Sequence, residues 1–83
     1  MSEKAFKSAI EKCKYMQKCT EGEQKAFYDG LYLGLNRGFH GELFQCEHDT
    51  LITIPENEPD PIRCAKGKGY RQGFDLGWDY SKD

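Results

Sequence analysis

The residues with the widest chemical range in this chain are four cysteines, Cys13, Cys19, Cys46 and Cys64, and two histidines, His40 and His48. Thiolates and imidazoles at suitable spacing hold zinc. Cys46-x-His48 with Cys64 offers three ligands, and His40 or Cys19 a fourth. Such a metal would pin a proline-containing connection to the helix that follows it. No Cys-x-x-Cys knuckle is present, and Cys13 and Cys19 stand about 240° apart on a helix, so they do not share a face. In a reducing compartment the same thiols serve as small apolar side chains. A Cys46–Cys64 crosslink is a third arrangement. No cofactor is expected, with zinc at Cys46, His48 and Cys64 as the one site to check.

Catalysis finds little footing. A nucleophile needs a base beside it, and neither histidine sits in a recognisable setting. Asp75 and Asp79 share a helix face, which on a charged surface serves solvation. Gly67-Lys68-Gly69 lacks the spacing of a phosphate loop. The expectation is no enzyme. Binding chemistry is better represented. Arg63, Lys66, Lys68 and Arg71 interleave with Tyr70 and Phe74, which suits stacking and charge neutralisation on single-stranded RNA. Tyr28, Tyr32, Tyr80 and Trp78 are aromatics of the kind that anchor protein interfaces. Glu56, Glu58 and Asp60 lie at the end of an acidic segment: residues 41–60 hold six acids and no lysine or arginine. They offer a surface to a basic partner, or keep a loop solvated.

Three helices must position these groups. Phe6, Ala9, Ile10, Cys13 and Met16 fall at helical spacing, which predicts a helix over 3–19. Thr20-Glu21-Gly22-Glu23 reads as a capping box opening a second helix over 21–40. Arg37 and His40 suit its negative end, and Gly38 or Gly41 its stop. The connection 41–60 carries Pro55 and Pro59, and Thr50-Leu51-Ile52-Thr53-Ile54 has the β-branched character of a short strand, able to pair with its copy in a homo-oligomer. Asp60-Pro61 reads as an N-cap followed by proline at the first helical position, predicting a third helix over 61–80.

The strongest pattern is a repeat. Gly30-Leu31-Tyr32-Leu33-Gly34-Leu35-Asn36-Arg37-Gly38-Phe39 is matched by Gly69-Tyr70-Arg71-Gln72-Gly73-Phe74-Asp75-Leu76-Gly77-Trp78. Glycine recurs every four residues, each followed by a large apolar side chain. On a helix this makes a bare stripe (Gly30, Gly34, Gly38; Gly69, Gly73, Gly77) beside a ridge (Leu31, Leu35, Phe39; Tyr70, Phe74, Trp78). Each helical glycine costs about 0.8–1 kcal/mol relative to alanine. Close packing of the two helices must offset that, and the expectation is an antiparallel pair, stripe facing ridge. The fold class is therefore all-α, a small three-helix domain over 1–83 with an antiparallel glycine-stripe pair and a proline-containing acidic connection.

These glycine helices resemble the ribosome modulation factor family, short bacterial proteins of two helices. The likeness rests on Tyr28, Gly30 to Gly34, Gly38, Cys46, Phe74, Gly77 and Trp78, and covers about residues 24–82 with a long insertion. It implies binding to the small ribosomal subunit and repression of translation. The chain departs from the family in three respects. It is net acidic, Glu47-His48 stand where the family has proline and tyrosine after its cysteine, and the helix over 3–19 has no counterpart.

Length and composition set the outer limits. With 83 residues, net charge −2 and mean hydropathy −0.84, the chain allows one small domain. Apolar runs fall far short of the roughly 20 residues that span a bilayer, and no leader-like stretch precedes Phe6, so a cytoplasmic protein with no membrane partner is expected. RNA contact is open, but not by charge alone. The reading is a non-enzymatic module that docks on a larger bacterial machine, a protein or ribonucleoprotein complex, and modulates or inhibits it. The resemblance suggests the ribosome. A phage-encoded inhibitor of a host enzyme or defence complex, such as a CRISPR effector, and a metal-stabilised RNA binder are the alternatives.

Overall fold

The computed structural model describes residues 2–41 and 54–82. They form three helices: α1 (Glu3–Cys19), α2 (Gly22–His40) and α3 (Pro61–Lys82). The all-α expectation holds, and the three segments fall within two residues of their expected bounds. Cys46, His48 and four residues of the expected strand, Thr50 to Thr53, lie outside the described residues. Ile54 belongs to no strand.

The α1–α2 joint differs from the capping box expected at Thr20. The Thr20 hydroxyl donates to the Met16 carbonyl at 2.6 Å, closing α1 rather than opening α2. Glu21 is the N-cap of α2 and its side chain makes no cap bond. Gly22 then takes a left-handed φ of 64°. A link this short spends its hydroxyl on the open carbonyls behind it and leaves glycine to make the reversal. At the far end, Gly41 is the stop: its φ is 65° and its N–H donates to the Arg37 carbonyl. Gly38, the other expected stop, is buried within the helix.

The start of α3 follows its sequence. The Asp60 carboxylate accepts from the Ile62 N–H at 3.0 Å, and Pro61 has no N–H to satisfy. Asp60→Ala should lower stability by about 1 kcal/mol, the usual worth of such a cap. A urea titration checks it, and an unchanged midpoint would remove the cap from the account.

The direction of the α2–α3 pair is a correction. A methyl built on Gly30 would lie 2.8 Å from the Tyr70 nitrogen; on Gly34, 2.6 Å from that of Phe74; on Gly38, 2.9 Å from that of Trp78. The contacts climb both helices together, so the pair is parallel, not antiparallel. Gly69, Gly73 and Gly77 meet the nitrogens of Leu31, Leu35 and Phe39 at 2.9, 2.9 and 2.7 Å in return. The two sets mirror each other: Gly30 faces the Lys66 carbonyl and Tyr70, while Gly69 faces the Phe27 carbonyl and Leu31. The repeat is thus laid out as a local two-fold along the helix axes.

Each glycine therefore meets backbone, not a ridge side chain. The hydrogen standing where Cβ would be points at a partner carbonyl oxygen. Such Cα–H···O contacts are worth about 0.5–1 kcal/mol each, of the same order as the helix penalty of glycine. A parallel pair also needs a return path. Nineteen-residue α2 runs about 28 Å at 1.5 Å per residue, and the connection over 41–60 is long enough to retrace it.

The two-fold places the ridges on opposite flanks of the seam. On one flank, Leu35 and Phe39 join Phe6 and Cys13 of α1 in the buried core, with Ala9, Ile10, Leu31, Tyr32 and Tyr80 packed round it. The Phe6 and Phe39 rings stack at 4.0 Å and 6°. α1 runs antiparallel to α2, with Gln17 donating to Asp29 at 2.8 Å near the link and the Ser2 N–H donating to the Tyr80 carbonyl at the other end. On the opposite flank Tyr70 is fully buried, and its hydroxyl and ring are both held by the Arg37 guanidinium. Ile54 closes the same side over Gly67, and Arg71 donates to its carbonyl at 2.6 Å.

Candidate docking surface

The residues expected to bind a partner divide by where the helices leave them. Tyr32 is half-buried against the core. Tyr28, one turn earlier, is half-buried with its ring edge-on to Phe27 at 5.4 Å. Trp78 is 41% exposed. Its ring lies nearly parallel to Phe74 at 6.5 Å, and the Lys82 ammonium sits 4.6 Å above it. Phe74 and Lys82 thus hold a large apolar ring in a fixed pose at the surface.

The acidic trio has structural duties. Glu58 pairs with Arg63 at 3.1 Å and its side chain is only 12% exposed. Asp60 caps α3. Glu56 is exposed, and its carbonyl oxygen lies 3.5 Å from the Cys64 sulfur, which donates to it. Reversing all three charges would therefore disturb the fold as well as the surface, because a lysine at position 60 removes the cap.

The basic start of α3 is partly engaged as well. Arg63 is held by Glu58 and Arg71 by the Ile54 carbonyl. Lys66 is half-buried and lends its backbone to the seam, while Lys68 is exposed. Tyr70 has no surface on which a base could stack. The interleaved cation–aromatic stripe is therefore not presented as one continuous face.

Of the metal candidates, Cys64 is half-buried and His40 turns edge-on to the Phe6 and Phe39 rings. Cys19 is exposed, and its hydrogen bond to Tyr15 raises that phenol above its usual range. Among the described residues no three such side chains gather to hold a metal. Cys13 lies in the core, where burial pushes its thiol up, against the opposing pull of the Lys12 ammonium.

One feature escapes sequence reasoning. α1 lies mainly on α2, and just before it the Ser2 N–H donates to the Tyr80 carbonyl of α3. A wedge opens between α1 and α3, floored by Leu31 and Leu35 of α2. Its volume is about 300 Å³, and Ala9, Lys12, Phe27, Gln72 and Leu76 form its walls. Leu76 is 40% exposed there. Phe27 also borders a second hollow of about 320 Å³, with Glu23, Pro61, Cys64 and Lys68, so the two adjoin. Leu76 belongs to neither the glycine stripe nor the ridge, and it gains a role only as a wall of this wedge.

Among the described residues no helix is long and apolar enough to cross a membrane. No family model, curated protein or solved structure matches this chain.

Proposed function

We propose that this protein is a non-enzymatic docking module that binds a larger bacterial assembly and modulates or inhibits it. The observation that carries the reading is the pose of Trp78. Leaving a tryptophan 41% exposed forfeits part of the roughly 1.5–3 kcal/mol that burying a large apolar side chain gives. A chain with so small a core has reason to bury it. The stacked Phe74 and the overlying Lys82 fix the ring, which lowers the entropy lost on binding.

The small ribosomal subunit is the target to test first, because the glycine-helix pattern with Trp78 resembles the ribosome modulation factors. A protein-faced contact is favoured over an RNA-faced one by the burial of Tyr70 and the engagement of Arg63 and Arg71. The test is co-sedimentation with purified bacterial small subunits at micromolar protein. Wild type should pellet with them, and Trp78→Ala should weaken binding at least about tenfold, the cost of a modest interface anchor. No co-sedimentation, or equal binding by both proteins, would reject this target and anchor.

A further inference from the structure

We infer that the wedge between α1 and α3 is a groove that seats an acidic amphipathic helix of a partner protein. The inference rests on the docking-module reading and adds a second surface to it, on the opposite flank of the seam from Trp78.

The groove has an apolar floor and one sign of charge. Leu31 and Leu35 form its base, with Phe27 and Leu76 on the sides. Lys12 is the one charged side chain among its lining residues, and no acid lines it. Lys68 continues the α3 wall one turn before Gln72. Among the described residues neither Lys12 nor Lys68 is in an ion pair, whereas Lys7, Lys25 and Arg63 each are. The adjoining hollow holds two acids beside Lys68: Glu58 is taken by Arg63, and Glu23 is exposed and forms no ion pair with Lys68, so the one lysine within the groove itself, Lys12, carries most of the preference for an acidic occupant.

The dimensions suit side chains. About 300 Å³ lies at the low end of small-molecule pockets, and Leu76 at its side is 40% exposed. A helix laid in it would place successive apolar residues over Leu76 and then Phe27. Glutamates or aspartates on its flanks would meet Lys12 and Lys68, while Gln72 and the Tyr28 and Tyr80 hydroxyls accept polar neighbours. This is the helix-in-groove mode, read by anchors at helical spacing. A single nucleic-acid strand fits less well, because two cations neutralise few phosphates and the floor is concave and aliphatic.

The test uses the full chain and three labelled probes in an anisotropy titration. The first is a helical peptide of about 18 residues, five turns at 3.6 residues each, with leucines on one face and glutamates flanking them. The second replaces the glutamates by lysines. The third is an oligouridylate. The acidic peptide should bind saturably and at least about tenfold tighter than the basic one. Leu76→Glu, an exposed site whose folding circular dichroism verifies, should weaken it about tenfold or more. Lys12→Glu with Lys68→Glu should invert the peptide preference, while Lys14→Glu, about 200° round α1 from Lys12, should not. No saturable binding of the acidic peptide, equal affinity for both peptides, indifference to Leu76→Glu, or tighter salt-sensitive binding of the oligouridylate would each overturn the groove. Peptide binding retained without ribosomal co-sedimentation would reject the ribosome and leave the groove standing.

Discussion

Gly34→Ala should destabilise this protein by about 3 kcal/mol or more, although alanine is the better helix former by about 1 kcal/mol. The sign is what matters. In a helix whose glycines face solvent the substitution stabilises. Here the added methyl would stand 2.6 Å from the Phe74 nitrogen and closer still to the Tyr70 carbonyl oxygen. Both are backbone atoms and cannot rotate away. The helices must separate, and a seam held through six glycines loses contact along its length. Overpacking of a tight core costs about 1–3 kcal/mol by itself, and the lost Cα–H···O contacts add about 0.5–1 kcal/mol each. Against a total of about 5–15 kcal/mol for a small domain, a fall in Tm of about 12 °C or more follows at 4–8 °C per kcal/mol. Gly73→Ala should behave alike, since its methyl would meet the Leu31 carbonyl and the Leu35 nitrogen in the mirrored position. Gly41→Ala is the contrast. Its methyl meets open space, so only the left-handed backbone is penalised, at about 1–2 kcal/mol. Thermal melts of the three variants decide it. Equal or raised melting of the Gly34 and Gly73 variants would contradict the packing.

Phe6→Ala should cost about 3–5 kcal/mol, the range for removing a buried phenylalanine. Phe6 is 8% exposed and stacked on Phe39, and it anchors α1 at the end away from the α1–α2 link. The remaining ties of α1 are Cys13 in the core, the partly buried Ala9 and Ile10 beside it, Gln17 to Asp29, and the Ser2–Tyr80 backbone bond. The loss should therefore appear first in α1. Amide exchange should quicken over 3–19 well before it does in α2 and α3, where the seam is independent of Phe6. A change under about 1 kcal/mol, or uniform loss of protection, would show that α1 is not held chiefly through this ring.

Much of this architecture was legible in residue types. Apolar spacing gave α1, Asp60-Pro61 gave the start of α3, and the four-residue glycine period named the six glycines of the seam. What that period cannot carry is direction, because a bare stripe faces its partner equally well in either sense. The length of the connection could have decided it. Antiparallel neighbours are usually joined by two to eight residues, and 41–60 is far longer. The capping box at Thr20 failed for a local reason: in so short a link one hydroxyl has two helix ends within reach, and it served the first.

The binding residues were less legible. Trp78 kept an exposed ring, but Tyr70, on the same ridge, is buried beneath Arg37. Charge pattern marked Arg63, Arg71, Glu58 and Asp60 as surface chemistry, and local geometry turned each to holding the chain together. The groove depends on how far α1 swings from α3, which no spacing within one helix encodes. Leu76 therefore reads in the sequence as one more apolar residue of a helix.

The parallel, backbone-to-backbone seam is tested most directly by nuclear Overhauser contacts from glycine α-protons. Cross-peaks are expected from Gly30 to the Tyr70 amide, Gly34 to Phe74 and Gly38 to Trp78, with Gly69, Gly73 and Gly77 answering to Leu31, Leu35 and Phe39. Partner numbers that fall as the glycine numbers rise, or no interhelical peaks from these protons, would contradict it.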